Sequence, residues 1–339
     1  MRMLIGRLVV ASLGALSLTG CFFANTSENG PEDAAASSTF PRAEQPANCP
    51  TEGAAIQVLG SGGPIAEMPT GTNGEARAAT SYLLWIDGEP RLLIDAGSGS
   101  FLRYAQAGGK LATLDAILLT HVHADHAGDV IDVLNSGGFE GRSEPLIVAG
   151  PTGAPRFPST SEFVARLLDK DAGAFAYNGG YGDGTENKPQ LSVRDIETRE
   201  GTAEPTGLDV SNDYSVIALP VDHAFVPALG YEISIGGKTV VITGDQSGRS
   251  FAFEEALRGS KPDILLAHHV INGEAGQPRG LHRTPAEIGT LAGALAPGRV
   301  VLTHNMDRSL SRIDDNLTAI GEEYSGPVSV AMDLDCYAP

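Results

Sequence analysis

The stretch Asp115-Ala-Ile-Leu-Leu-Thr120 is almost wholly apolar and runs straight into His121-Val-His-Ala-Asp-His126. An apolar run of this length is the pattern of a strand buried on both faces. Three imidazoles and a carboxylate at its end predict a metal site, because imidazole nitrogen suits zinc and similar ions and carboxylate oxygen completes such shells. In an extended segment His121 and His123 point to one side. Asp125 and His126, where the chain turns into a helix, are left to face a second ion.

The chain has eight histidines, and those outside this cluster are His223, His268, His269, His282 and His304. His223, His268 and His304 each follow an apolar run, Val216–Val221, Ile264–Ala267 and Val300–Thr303. Asp245 follows Val240-Val-Ile-Thr-Gly244 in the same way. Polar ligands at several strand ends are what a single site on the edge of a sheet sandwich requires.

The surrounding pattern is that of a mixed α/β domain. Strands are predicted at 55–59, 80–86, 91–94, 115–120, 215–219, 230–235, 239–243, 263–267 and 299–303. Helices are expected up to about residue 107 and at 127–135, 161–170, 251–258 and 285–295. The last has a well-marked start, with Thr284 as N-cap, Pro285 at the first position and Glu287 three residues after the cap. Residues 150–213 are dense in glycine, proline and polar side chains and read as an insertion beside the site. Two glycine turns, Gly60-Ser-Gly-Gly63 and Asp95-Ala-Gly97, follow early strands.

His-x-His-x-Asp-His at 121–126, the glycine turn and Asp95-Ala-Gly97 together resemble the metallo-β-lactamase superfamily. The resemblance covers roughly 54–335 and implies a four-layer αββα sandwich. By it, His121, His123 and His223 would hold one divalent ion and Asp125, His126 and His304 the other, with Asp245 bridging. Zinc is the preferred metal. Leu59-Gly-Ser-Gly-Gly-Pro64, His223-Ala-Phe-Val-Pro-Ala-Leu-Gly-Tyr231, His282-Arg-Thr284 and Leu302-Thr-His304 are similar to the branch holding ribonuclease Z, cyclic-nucleotide phosphodiesterases and alkyl- and arylsulfatases. That likeness implies a hydrolase using hydroxide generated on the ions, with Asp125 orienting the nucleophile and His282 assisting the leaving group. His268 and His269 stand where tRNA-processing members carry His-Glu-Ala-Thr, and His269 replaces the acid. They are expected either to support the ligands from behind or to touch substrate.

The formal net charge is −19. Such a field repels polyanions, so the expected substrate is a small phosphate or sulfate ester and no nucleic-acid partner is expected. Arg77, Arg249, Arg279 and Arg283 are candidates to grip an oxyanion. A lactonase or β-lactamase of the same fold, and a non-catalytic zinc-binding lipoprotein, are the alternatives. Nothing in the sequence indicates an oligomeric state.

Arg2, Arg7 and the apolar run Leu8–Leu18, ending in Leu18-Thr-Gly-Cys21, read as a signal peptide over 1–20 with a lipidation site at Cys21. Residues 21–53 would then be a flexible tether, with the hydrolase domain over 54–339. The expected location is the bacterial envelope, facing the periplasm or the exterior, with the lipid as the only membrane attachment. An oxidising compartment makes Cys49 and Cys336 candidates for a disulfide, two free thiols being the alternative.

Overall fold

Two seven-stranded sheets carry the site on their shared edge. The computed structural model describes residues 49–66, 76–199 and 204–339; the signal peptide, Cys21 and nearly all of the tether lie outside the described residues. The first sheet contains β1 (Ala54–Gly60), β2 (Ser81–Ile86), β3 (Glu89–Ile94), β4 (Ala116–Leu118), β5 (Leu146–Pro151) and β6 (Leu191–Ile196). The second contains β7 (Thr206–Leu208), β8 (Ser215–His223), β9 (Val226–Ile235), β10 (Lys238–Ile242), β11 (Ile264–His268), β12 (Arg299–Thr303) and β13 (Val328–Val330). The short β14 (Cys336–Tyr337) returns to pair with β1.

Both sheets switch from antiparallel to parallel pairing along their width. In the first, β1, β2 and β3 are antiparallel and β3 to β6 are parallel. In the second, β7 to β10 are antiparallel and β10 to β13 are parallel. Parallel strands must be covered on both faces, and the sequence supplies apolar residues on both. Ile56, Tyr82, Leu84 and Ile94 meet Val216, Tyr231, Ile233 and Ile242 between the sheets. The alternate residues Leu83, Leu93 and Ile117 face outward, onto Tyr104 of α1 (Ser100–Ala107) and residues of the helices that follow the histidine cluster. Those helices are α2 (Ala124–Ala127), α3 (Val130–Gly137) and α4 (Thr160–Leu168). On the far side, α5 (Phe251–Ala256), α6 (Pro285–Leu295) and, past the short α7 (Asp307–Leu310), α8 (Ile313–Gly321) cover Val241, Leu265 and Val300. The result is the four-layer αββα sandwich that the family resemblance implies.

Helix α6 begins as its sequence predicts. The Thr284 hydroxyl accepts from the Glu287 N–H, the Glu287 carboxylate accepts from the Thr284 N–H at 2.7 Å, and Pro285 opens the helix. This closed cap, worth about 1 kcal/mol, anchors the loop that carries His282.

Residues 150–213 are not simply an insertion. They include the end of β5 and all of β6 and β7, the edge strands of both sheets. Five of the six β6 residues are only partly buried or exposed, so the segment lacks the apolar alternation that marks an inner strand. Cys49 and Cys336 are joined by a disulfide, with Cα atoms 5.2 Å apart, pinning the start of the described domain to its last strand. Among the described residues no helix is long and apolar enough to cross a membrane.

Candidate metal centre

His223 ends β8, and the other six proposed ligands come from the segments that follow β4, β10 and β12, with Asp125 and His126 in α2. His121, Asp125, His126, His223, Asp245 and His304 are buried, and His123 is half-buried. Two glycines let these loops close up. A Cβ on Gly97 would stand 2.1 Å from the Asp125 carbonyl oxygen, and one on Gly63 would stand 2.5 Å from the His304 ring. Both early glycine turns therefore make room for ligand residues. His304 itself has φ +53°, a left-handed conformation that few residues other than glycine adopt.

The donor atoms converge. His121 Nε2 lies 2.9 Å from His123 Nδ1, and His223 completes a three-residue group with them. Asp125, His126 and His304 form another, with His304 Nε2 3.1 Å from His126 Nε2 and 3.2 Å from Asp125 Oδ2. Asp245 stands between the groups, its Oδ2 3.7 Å from both His126 Nε2 and His223 Nε2 and its Oδ1 3.4 Å from His304 Nε2.

Hydrogen bonds behind the ligands fix which ring nitrogen is free. His126 Nδ1 lies 2.8 Å from Asp95 Oδ2, so it donates there and turns Nε2 to the centre. Asp95 is fully buried, and its carboxylate also accepts from the Thr120 N–H and hydroxyl. His223 Nδ1 donates to the Leu281 carbonyl at 2.9 Å, leaving a buried Nε2 with no hydrogen-bond partner. Imidazole nitrogens and carboxylate oxygens that converge on one buried point, with His223 Nε2 left unpartnered, are a donor set suited to a cation. The residues fit divalent metal.

Electrostatics agree with that fit. Burial drives His121 well below the usual imidazole range, so it is neutral and free to ligate. Burial also opposes protonation of His126, but the carboxylates of Asp95, Asp125 and Asp245 outweigh it and raise this group to about 9. Asp125 is likewise opposed by burial, yet His126 and His304 hold its carboxyl below the usual range. A site that draws a proton onto His126 has the negative potential a cation would use.

The structure brings His282 to the same place. Its Nδ1 lies 3.8 Å from Asp245 Oδ2, its ring centre 5.3 Å from that of His223, and burial pushes it down to about 3. It is therefore a neutral imidazole. His268 lies behind Asp245, with Nδ1 2.7 Å from Oδ1 and Nε2 2.8 Å from the Tyr82 hydroxyl. His269 turns away from the centre. Its Nδ1 donates to Asn305 Oδ1 and its Nε2 accepts from Asn316 Nδ2, each at 3.0 Å, so both nitrogens are spent on holding the segment beside His304.

None of the four candidate arginines reaches toward the ligands through its mapped contacts. Arg77 binds Ser61 and the Ala331 carbonyl, Arg249 binds Asp222, and Arg279 binds the Gly273 and Glu274 carbonyls. Arg283 is buried against Gln246 and Glu254, tying the Asp245 loop to the His282 loop. Asp95 and Tyr82 are the supporting residues the sequence analysis did not assign. Asp95-Ala-Gly97 was a visible signal for the first, whereas nothing local marks Tyr82.

The model of the metallo-beta-lactamase superfamily matches residues 74–304. A ribonuclease Z from Mycolicibacterium paratuberculosis is 28% identical over 298 residues, spanning 82% of this chain and 96% of that protein. A ribonuclease Z from Myxococcus xanthus is 27% identical over 269 residues, spanning 71% and 86%. Among solved structures, the short form of human tRNase Z superposes with a TM-score of 0.62 at 19% identity, covering 84% of this chain and 98% of that one. These relatives overturn the expectation of a small-molecule ester with no nucleic-acid partner, because the matched proteins are ribonucleases along almost their whole length. The physical error was to read partners from net charge. A total of −19 averages the whole surface, whereas a phosphodiester meets only the field at the site.

Proposed function

The chain belongs to the metallo-beta-lactamase superfamily, and we propose that it is a dinuclear metal-dependent phosphodiesterase. It is a metal-dependent hydrolase acting on ester bonds; the dinuclear state, zinc as the metal and the phosphodiester substrate are our reading. The observation that carries this reading is the position of Asp245, which belongs to three ligand groups, with His121 and His126, with His223 and His282, and with His268 and His304. One carboxylate within reach of both histidine nests is what bridging requires.

His121, His123 and His223 would hold one ion, Asp125, His126 and His304 the other. Two such ions supply an activated water and a Lewis acid for the attacked group. The protein's own residues do the rest. Asp125, kept ionised, orients the nucleophile and accepts its proton. Asp95 and the Leu281 carbonyl fix the tautomers of His126 and His223. His282, neutral and beside Asp245, offers an N–H to the departing oxygen. The names of the ribonuclease Z relatives favour a phosphodiester over a sulfate ester, lactone or lactam.

Export is proposed as well, on the apolar N-terminal stretch and Cys21. The Cys49–Cys336 bond supports it, since such bonds persist in oxidising compartments.

The test pairs metal analysis with a substrate panel. Protein purified without added metal should carry two equivalents per chain and hydrolyse bis(4-nitrophenyl) phosphate. Asp245→Ala should lose both ions and that activity. Turnover of only an acyl lactone or a cephalosporin would overturn the phosphodiesterase reading, and one equivalent at full activity would overturn the dinuclear one.

A further inference from the structure

Phe157 packs beside the candidate ligand His123, Phe225 packs on Phe157, and neither belongs to the hydrophobic clusters that hold the fold. Phe225 is 66% exposed and sits in the two-residue turn between β8 and β9, two positions after His223. Phe157 reaches the same place from the segment after β5. Its ring centre is 5.6 Å from that of His123, edge to face at 61°, and 6.0 Å from that of Phe225 at 36°. At that spacing the two phenyl rings touch, so no third ring fits between them. They form a ledge that begins at His123 and runs outward to the exposed Phe225.

The turn that presents Phe225 is held firmly. Ala224 has φ +55°, a conformation an alanine rarely adopts. Its N–H donates to Asp222 Oδ1, while Asp222 Oδ2 accepts from the Ser247 hydroxyl and Arg249 Nε. A single exposed phenylalanine needs no explanation. A pair in contact, one ring on a strained and braced turn and the other edge-on to the candidate ligand His123, does.

We propose that Phe225 and Phe157 are a stacking platform for a planar aromatic group borne by the ester, a nucleobase or an aryl ring, on the His123 and His223 side of the centre. Bases and aryl rings both offer a π face to such a ledge. The inference rests on the phosphodiesterase reading above and adds the part of the substrate next to the scissile bond.

Calorimetric titration of the zinc-loaded full chain with 5′-AMP, phenylphosphonate and inorganic phosphate tests it. Both aromatic ligands, or one of them, should bind more tightly than phosphate, and which one does tells nucleobase from aryl ring. Phe225→Ala should weaken the aromatic ligand about tenfold, in line with the loss of one stacking partner, and leave phosphate affinity unchanged. Phe225→Trp should restore the preference and report it by fluorescence quenching, because the chain's one native tryptophan, Trp85, is buried within the first sheet. Phosphate binding with no aromatic preference, or equal weakening of all three ligands in Phe225→Ala, would overturn the platform alone. Failure of phosphate itself to bind would overturn the phosphoester reading and the platform with it.

Discussion

His268 donates its Nδ1 proton to Asp245 Oδ1 across 2.7 Å. The donation is directional because the opposite nitrogen accepts from Tyr82, whose hydroxyl is also 2.7 Å from Thr303 Oγ1. Burial pushes His268 down to about 4, so the ring is neutral and its single proton must serve Asp245. Tyr82→Phe removes the group that pins this tautomer and leaves the buried Nε2 without a donor. Metal affinity should fall about tenfold or more, as for other partners behind a ligand. A competition titration against a chelator measures it, and unchanged affinity would show that His268 keeps its tautomer unaided.

Asp95 acts in the same way on His126. Asp95→Asn keeps the shape and is compatible with the left-handed backbone there, φ +56°, but it removes the charge that accepts the Nδ1 proton. One of the two metal equivalents should bind about 10- to 100-fold more weakly, while the other stays. Loss of both together would mean that Asp95 organises the whole centre rather than one ligand.

The metal-free protein should be most stable near pH 6.5. Burial lowers His268 and His269 to about 4, so below the unfolded value near 6.5 the unfolded chain takes up protons that the native chain refuses. Stability therefore falls as the pH drops from about 6.5 toward 4. His126 works with the opposite sign. Raised to about 9, it contributes stability that is fully present below about 6.5 and lost as the pH climbs through the folded value. Thermal unfolding in chelator across this range should trace a maximum, and a flat profile would contradict it.

Replacing Cys49 and Cys336 by serine opens a covalent loop spanning 287 positions. The chain-entropy model puts the stabilisation from so long a loop on the order of 5 kcal/mol. The variant, or the wild-type protein in reductant, should melt at a lower temperature yet keep its metals, since no ligand lies in β14. Loss of metal on reduction would tie the terminal strand to the site.

The strand pattern was legible where burial was two-sided or cleanly one-sided. Residues 299–303 and 285–295 fall on β12 and α6 to the residue, because a continuous apolar run and a closed capping box are local signals. β5 was missed because Gly150 and Pro151 interrupt its apolar run. β6 and β7 were absorbed into a supposed insertion because edge strands need not bury alternate residues. The polar residues at the strand ends could be read because each ends an apolar run. Asp95 stood out through its motif but not its role, and Tyr82 not at all, since they meet His126 and His268 across 31 and 186 positions of chain. The first contact forms when β3 pairs with β4 in one sheet, and the second only after the two sheets stack.

The division of the donors between the sheets carries one more implication. His121, His123, Asp125 and His126 follow a strand of the first sheet, whereas His223 ends and Asp245 and His304 follow strands of the second. Each proposed three-histidine or Asp-His-His set draws on both sheets, so a metal held by it would link the two halves. A cation bound there would act as a rivet across the seam between the halves.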